Sequence, residues 1–210
     1  MLLSLLLLTQ ETICRWVHDH WLELFGVVSS LLYICLEVKQ KSSMWIVGFF
    51  SSTVYAAVFF QSRLYADSIL NVYYMAASVY GMYCWRFAPE NDDAATVERP
   101  VGRLSRPSGI VLAVISVALY TGMGYALDKH TDSPVPYCDA LIASLSFVAT
   151  WMLARKILEH WILWIFINFF SSGLFFWREL YPTAGLFIVY GVMSIAGWFR
   201  WKQSFNHQVQ

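Results

Sequence analysis

The sequence predicts an all-α integral membrane protein of seven transmembrane helices, arranged three plus one plus three, with the two triplets forming parallel repeats. Three observations predict it. The 210-residue chain is 58% hydrophobic and 18% aromatic with only 13% charged residues, about half the charged share of an ordinary soluble domain. Seven separate stretches approach the ~20 apolar residues that a bilayer core requires. The chain also matches itself without a gap when shifted by 116 residues. A soluble fold of this composition would have little polar surface to offer water. The net charge of zero removes any bulk attraction to nucleic acid.

The chain begins "MLLSLLLLTQ". It has no basic n-region and no A-x-A cleavage pattern, so residues 1–20 read as a short uncleaved lead outside the cytoplasm. The apolar stretches lie near 21–38, 43–61, 65–85, 108–127, 136–155, 160–177 and 181–199. The one long polar connection, "FAPENDDAATVERPVGRLSRP" at 87–107, has the prolines and mixed charges of a loop or linker. The first repeat is then 21–86, a loop and linker helix occupy 87–135, the second repeat is 136–202, and 203–210 is a cytoplasmic tail.

Orientation follows from the basic residues. One side collects Arg15, Arg63, Lys129 and Arg178. The other collects Lys39, Lys41, Arg86, Arg99, Arg103, Arg106, Arg155, Lys156, Arg200 and Lys202. The richer side is expected to be cytoplasmic, which puts the N-terminus outside and the C-terminus inside a cell (inner) membrane.

The repeat places residues 45–85 on residues 161–201. Trp45 meets Trp161, Phe59-Phe60 meets Phe175-Phe176, and Leu64-Tyr65 meets Leu180-Tyr181. Tyr74, Ser78, Gly81 and Trp85 meet Tyr190, Ser194, Gly197 and Trp201. Three helices are an odd number, so directly joined halves would be inverted. The linker helix restores direction and makes the repeats parallel. Such duplications build transporters with substrate near the midplane between the repeats.

The stretch "HWILWIFIN" at 160–168 carries W-x-x-W-x-x-x-N. Positions i, i+3 and i+7 share a helical face, so Trp161, Trp164 and Asn168 point one way. An amide in hydrocarbon is costly without a partner, so this face should turn inward. Trp161 and its mate Trp45 could instead belong to an interfacial belt. The mates of Trp164 and Asn168 are Gly48 and Ser52, so the symmetry breaks twice on one face, as an asymmetric ligand requires. Hydrogen bonding between helices is the plainer account of Asn168. Asn71, with the apolar mate Phe187 and with Asp67 one turn earlier, offers a second polar wall or an ordinary packing contact. Trp161, Trp164, Asn168, Asn71, Ser52 and Asp67 are the candidate substrate-binding set. Indole faces attract cations, and an amide can pair with a carboxamide edge. The expected ligand is a small aromatic cation or heteroaromatic nucleoside.

Other polar residues read more plainly. Glu37 is expected to snorkel toward Lys39 or Lys41, with a carboxylate facing a cationic substrate as the alternative. His18, Asp19 and His20 read as solvated, and Glu159 and His160 as capping and interface residues. The scattered Cys14, Cys35, Cys84 and Cys138 have no metal spacing and read as packing residues. No metal or cofactor is implied.

With these features together, the chain resembles the PnuC-type vitamin transporters, the nicotinamide riboside carriers. The resemblance covers roughly 21–202 and rests on "ELFGVVSSLLYICLEVKQ", "YADSILNVYYMAASVYGMYCW", "ARKILEHWILWIFIN" and "GWFRW". It implies a seven-helix bundle similar to the full-length SWEET-like fold, a homotrimer, and facilitated diffusion followed by trapping through a cytoplasmic vitamin kinase. It also implies that Trp161, Trp164 and Asn168 contact the pyridinium carboxamide. Members that carry nicotinamide riboside often have glutamine where Asn71 stands. Thiamine, another flat cation carried by relatives, is the alternative substrate, and a SWEET-like sugar carrier a more distant one. An ATP-driven pump lacks its G-x-x-x-x-G-K-[ST], and an enzyme lacks a nucleophile with a base or an H-E-x-x-H. A scaffold would have no reason to gather indoles and amides on one face.

Overall fold

The computed structural model describes residues 21–61, 65–86, 99–131 and 133–209. The apolar lead and the His18-Asp19-His20 segment lie outside them, as does the side chain of Asp67. Among the described residues seven helices follow one another: α1 Trp21–Val38, α2 Ser43–Gln61, α3 Tyr65–Arg86, α4 Arg106–His130, α5 Pro136–Ala154, α6 His160–Trp177 and α7 Tyr181–Val209. Five of them, α2 and α4 to α7, are long and apolar enough to cross a membrane. The apolar part of α1 is Leu24–Val38, and α3 is diluted by Asp67, Asn71 and five tyrosines.

Six helices close into a ring. Around it α1 packs on α2, α2 on α3, α3 on α5, α5 on α6, α6 on α7, and α7 returns to α1. The order maps onto itself when α1, α2 and α3 exchange with α5, α6 and α7, so the repeat is a two-fold symmetry of the packing. Among the described helices, α4 packs only on α5 and stays outside the ring. The exterior carries exposed Phe50, Ile69, Val79, Val114, Phe176 and Phe199, an outer surface suited to lipid rather than water.

One end of the ring is solid. Trp45, Trp85, Trp161 and Trp201 are all buried there. Trp45 meets Trp85 edge-on at 5.7 Å, and Trp161 meets Trp201 edge-on at 5.8 Å. Trp85 and Trp201 join the pairs at 5.9 Å. Edge-to-face contacts place the positive ring edge on the negative face. Each α2 or α6 tryptophan needs a glycine opposite: Trp45 lies on Gly81 and Trp161 on Gly197. Neither tryptophan is the interfacial residue expected from its place near a helix start. The flanking chain packs inward, so the indoles are covered.

The helix ends beneath this layer repeat as well. Gln40 and Lys156 both have φ of 56° and close α1 and α5 as Schellman motifs. Gln40 N donates to Glu37 O at 2.9 Å and Lys41 N to Leu36 O at 3.0 Å. Lys156 N donates to Leu153 O at 2.9 Å and Ile157 N to Met152 O at 3.0 Å. Left-handed backbone costs a non-glycine residue about 1 kcal/mol. Contacts offset it here: the Lys156 ammonium lies 4.5 Å from the Trp85 ring centre, and Gln40 bonds Ser204.

The polar connection is only partly the loop that its composition suggests. Its described end is pinned under the solid face. Gly102 exchanges hydrogen bonds with Lys156 O at 3.0 Å and Leu158 N at 2.9 Å. Val101 joins the buried core, and Glu159 accepts from Leu104 N at 2.8 Å and Arg103 Nε at 3.0 Å. Glu159 therefore anchors the linker and makes no side-chain cap on its own helix. Ser105 caps α4 by accepting from Ser108 N, so this helix starts at Arg106 rather than 108 and runs to His130. Helix α7 continues through Val209 and takes in the expected tail.

The glycine–tryptophan contacts are testable. A Cβ on Gly197 would lie 2.5 Å from Trp161 ring carbons, and that ring cannot retreat. Gly197→Ala should destabilise the detergent-solubilised protein by about 1–3 kcal/mol. Gly173→Ala, whose Cβ meets nothing within 4 Å, should be neutral or gain up to ~1 kcal/mol of helix propensity. Thermal unfolding of the two variants side by side checks this.

Candidate functional site

Above the solid end the ring is hollow. A cavity of about 1120 Å³ runs from Gly26, Pro182 and Thr183 at one end to Glu37, Trp45 and Trp161 at the other. It draws on both repeats, and its walls alternate aromatic rings with small neutral polar side chains. Among its described lining residues there is no lysine or arginine, and Glu37 is the sole acid.

Helix α6 supplies one wall. Trp161, Trp164 and Asn168 all line the cavity, as their shared face requires. At 1.5 Å per residue they span about 10 Å of depth. The Asn168 amide donates to Ser194 Oγ at 3.1 Å, and Ser194 in turn donates to Tyr190 O at 2.8 Å. The amide is therefore held from α7 rather than left uncompensated. Its mate Ser52 lines the facing wall on α2. Among the described residues, the buried indole nitrogens of Trp45, Trp161 and Trp164 have no hydrogen-bond partner, and all three rings line the cavity. Unpaired buried donors are costly.

Asn71 does not join this group. Asn71 is half-buried on α3 with an interaction of its own, and the α3 wall is formed by Tyr74, Ala77 and Ser78. The Asp67 side chain lies outside the described residues. The cavity also uses residues that the motif did not mark: Tyr33, Tyr55, Tyr74, Tyr190, Ser30 and Ser78. Ser30 and Tyr190 hydrogen-bond between the neighbouring helices α1 and α7. Tyr74, Ser78, Tyr190 and Ser194 had a legible signal, since each is retained at the repeat position of another.

The walls are lopsided in a systematic way. Gly48 leaves room on α2 for Tyr33 of α1, whose ring would touch any added Cβ at 3.0 Å. The repeat mates reverse the volumes: Ala149 stands for Tyr33 and Trp164 for Gly48. The frame keeps its total bulk while one half offers tyrosines and the other an indole.

The floor holds a buried polar pair. Glu37 Oε1 lies 3.1 Å from His160 Nε2, and His160 Nδ1 lies 2.7 Å from Ile157 O. Glu37 is 4% exposed and His160 0%. This corrects two expectations. Glu37 does not snorkel to Lys39 or Lys41, because α7 and the start of α6 cover it. His160 is no interface residue, because the turn after α5 buries it between Trp161 and Trp201. The repeat mates of this pair are Leu153 and Met44, both apolar and buried.

The comparisons with known proteins agree with this architecture. A family model described as nicotinamide mononucleotide transporter matches residues 20–203. The nicotinamide riboside transporter PnuC of Escherichia coli (strain K12) is 26% identical over 205 residues, covering 88% of this chain and 86% of that protein. PnuC of Neisseria mucosa is 24% identical, covering 88% of this chain and 73% of its own length. The riboflavin/roseoflavin transporter RibM of Streptomyces davaonensis is 23% identical, covering 88% and 85%. The crystal structure of the vitamin B3 transporter PnuC superposes with a TM-score of 0.70 at 22% identity, covering 98% of this chain and 90% of that one, and so shares the fold. A hollow six-helix ring with an outer linker helix, matched by the family model over nearly its whole length, identifies this chain as a multi-pass membrane transporter of the nicotinamide mononucleotide transporter family, a vitamin transporter and not an enzyme.

Proposed function

We propose that the chain takes up nicotinamide riboside by facilitated diffusion. The observation that carries this reading is the charge of the cavity. Its described lining has one carboxylate and no lysine or arginine. A buried phosphate needs cationic partners, so a mononucleotide would enter at a large cost. A phosphate-free pyridinium nucleoside meets indole faces, neutral hydroxyls and an acid. The relatives named as riboside transporters support the same cargo. In this reading Trp164 stacks on the pyridinium, Asn168 pairs with the carboxamide, and Trp161 and Ser52 bound the ring and ribose. Asn71 and Asp67 keep the outer part of α3 polar.

The same charge argument explains trapping. Once a cytoplasmic kinase adds phosphate, the product fits the cavity poorly and cannot return. The excess of basic residues at the tryptophan end orients that end to the cytoplasm, with the N-terminus outside, the C-terminus inside, and the protein in a cell (inner) membrane. Residues 21–86 and 136–202 act as the two moving repeats, joined by 87–135. A homotrimer belongs to the proposal on the family resemblance alone. Thiamine, also a flat cation, is the second reading within the same indole cage. Riboflavin, carried by the Streptomyces relative according to its name, is an uncharged third.

Titration calorimetry on the purified protein separates these cargoes. The riboside should bind at micromolar affinity or tighter, and the mononucleotide at least ~100-fold more weakly, the cost of burying an unpaired phosphate. Binding of thiamine or riboflavin alone would reassign the cargo, and tight mononucleotide binding would defeat the charge argument.

Two substitutions probe the wall. Trp164→Ala and Asn168→Leu should each weaken riboside binding by about ten- to hundredfold while the oligomer elutes unchanged. Trp164→Phe, which keeps a stacking face and loses the indole N–H, should fall between. Wild-type affinity in both of the first two would refute the site.

A further inference from the structure

We propose that the groove between α4 and α5 binds an anionic phospholipid, with one acyl chain along the groove and the phosphate held by Arg106 and Arg155. The groove lies on the outer face of the bundle and shares no lining residue with the central cavity. The site therefore stands whether or not the cargo is nicotinamide riboside.

The two helices are in close contact at one end only. Buried Gly124 lets α4 approach α5, since an added Cβ would lie 2.9 Å from the Tyr137 ring and 3.7 Å from Ala140. Tyr120 and Tyr137 flank this contact with ring centres 6.4 Å apart. Toward the tryptophan end a groove of about 500 Å³ lies between residues 107–119 of α4 and 147–151 of α5. Val111, Ile115 and Leu119 form one wall, and Phe147 and Val148 the other. Both helices are long and apolar enough to cross a membrane, so the groove opens onto acyl chains.

The length of the groove favours a lipid over a second copy of the chain. Residues 107 to 119 span roughly 18 Å, little more than half of a ~30 Å hydrocarbon core. The groove thus starts at the headgroup level, where α4 begins, and stops near mid-membrane at the Tyr137–Gly124 contact. A chain from one leaflet ends at that depth. A helix from another copy would need a groove continuing through both leaflets, and α5 already covers Gly124.

The charge sits at the headgroup end. Arg106 is exposed and directly precedes the lining residue Pro107. The Arg155 guanidinium carbon lies 5.7 Å from the ring centre of Trp151, another lining residue. Its Nη1 donates to Tyr80 Oη at 3.1 Å, which fixes one edge of the group and leaves further donors of its five. Among the described residues no carboxylate pairs with Arg106 or Arg155, whereas the nearby Arg103 is held by Glu159 at 3.0 Å. The Ser108 hydroxyl adds a polar group at the same end. Guanidinium groups bind phosphate oxygens in pairs, and basic pockets between transmembrane helices hold anionic headgroups. A zwitterionic lipid brings its own cation to the same arginines and gains less.

Native mass spectrometry of the full-length protein in detergent, with phosphatidylglycerol or phosphatidylcholine added, reads the bound lipid. The unmodified protein should retain phosphatidylglycerol at one per chain and at least ~tenfold more tightly than phosphatidylcholine. Arg106→Gln combined with Arg155→Gln should remove this preference, and Lys129→Gln at the far end of α4 should keep it. Ile115→Trp, which fills the groove midway and leaves both arginines, should lose the bound lipid of either kind. Equal retention of the two lipids by the unmodified protein would overturn the proposal, as would a preference that survives in the double arginine variant. Dissociation of an oligomer by Ile115→Trp with lipid retention unchanged would also overturn it and make the groove an interface between copies. The two variants are independent tests, and the lipid comparison on the unmodified protein needs neither to fold.

Discussion

Two indole N–H groups reach across from one repeat to the other, and the architecture rests on them. Trp85 on α3 donates to Leu153 O at the end of α5 at 3.2 Å, and Trp201 on α7 donates to Glu37 O at the end of α1 at 3.0 Å. An indole N–H in a dry core needs an acceptor, and a helix-end carbonyl that already accepts one backbone N–H has a second lone pair to offer. Each bond satisfies the indole and ties the repeats together at equivalent points. The glycines at 81 and 197 let the other two tryptophans lie flat against their hairpin partners. Because this end is solid, the rest of the ring can be hollow.

The hairpins use a similar economy further along. Ser68 on α3 donates to Ala56 O at 2.9 Å, and Ser172 on α6 donates to Ala184 O at 3.0 Å. Residues 56 and 172 are repeat mates, and so are 68 and 184. One serine and one alanine face each other at the same crossing in both halves, with the serine on opposite helices. Duplicated chains can drift this way without loss, because the crossing needs one small donor and one small neighbour, whichever helix carries which.

The places where the drift is not interchangeable gather around the cavity. Gly48 against Trp164, Tyr33 against Ala149, Ser52 against Asn168, and the Glu37–His160 pair against Leu153 and Met44 all lie in or beneath the cavity. The outer frame stays symmetric while the inner face becomes chemically polar on one side and rich in rings on both. A two-fold site would suit a two-fold ligand. The proposed nucleoside cargo has a base at one end and a sugar at the other, and would need unlike walls.

Much of this was legible in the residues. Low charge and the apolar stretches specified a membrane bundle, because hydrocarbon demands continuous apolar helices. The register of 116 specified which positions are equivalent, and helical periodicity placed Trp161, Trp164 and Asn168 on one face. Periodicity says which residues of a helix point together; it does not say which neighbour that face meets. Tertiary structure alone decided that α1 closes on α7, which buries Glu37 against His160, a residue 123 positions away. It also turned Trp45 and Trp161 from an apparent interfacial belt into a solid floor, pinned part of the polar linker beneath that floor, and left Asn71 off the cavity wall. Each of these depends on contacts between helices far apart in the chain, and local patterns carry no record of them.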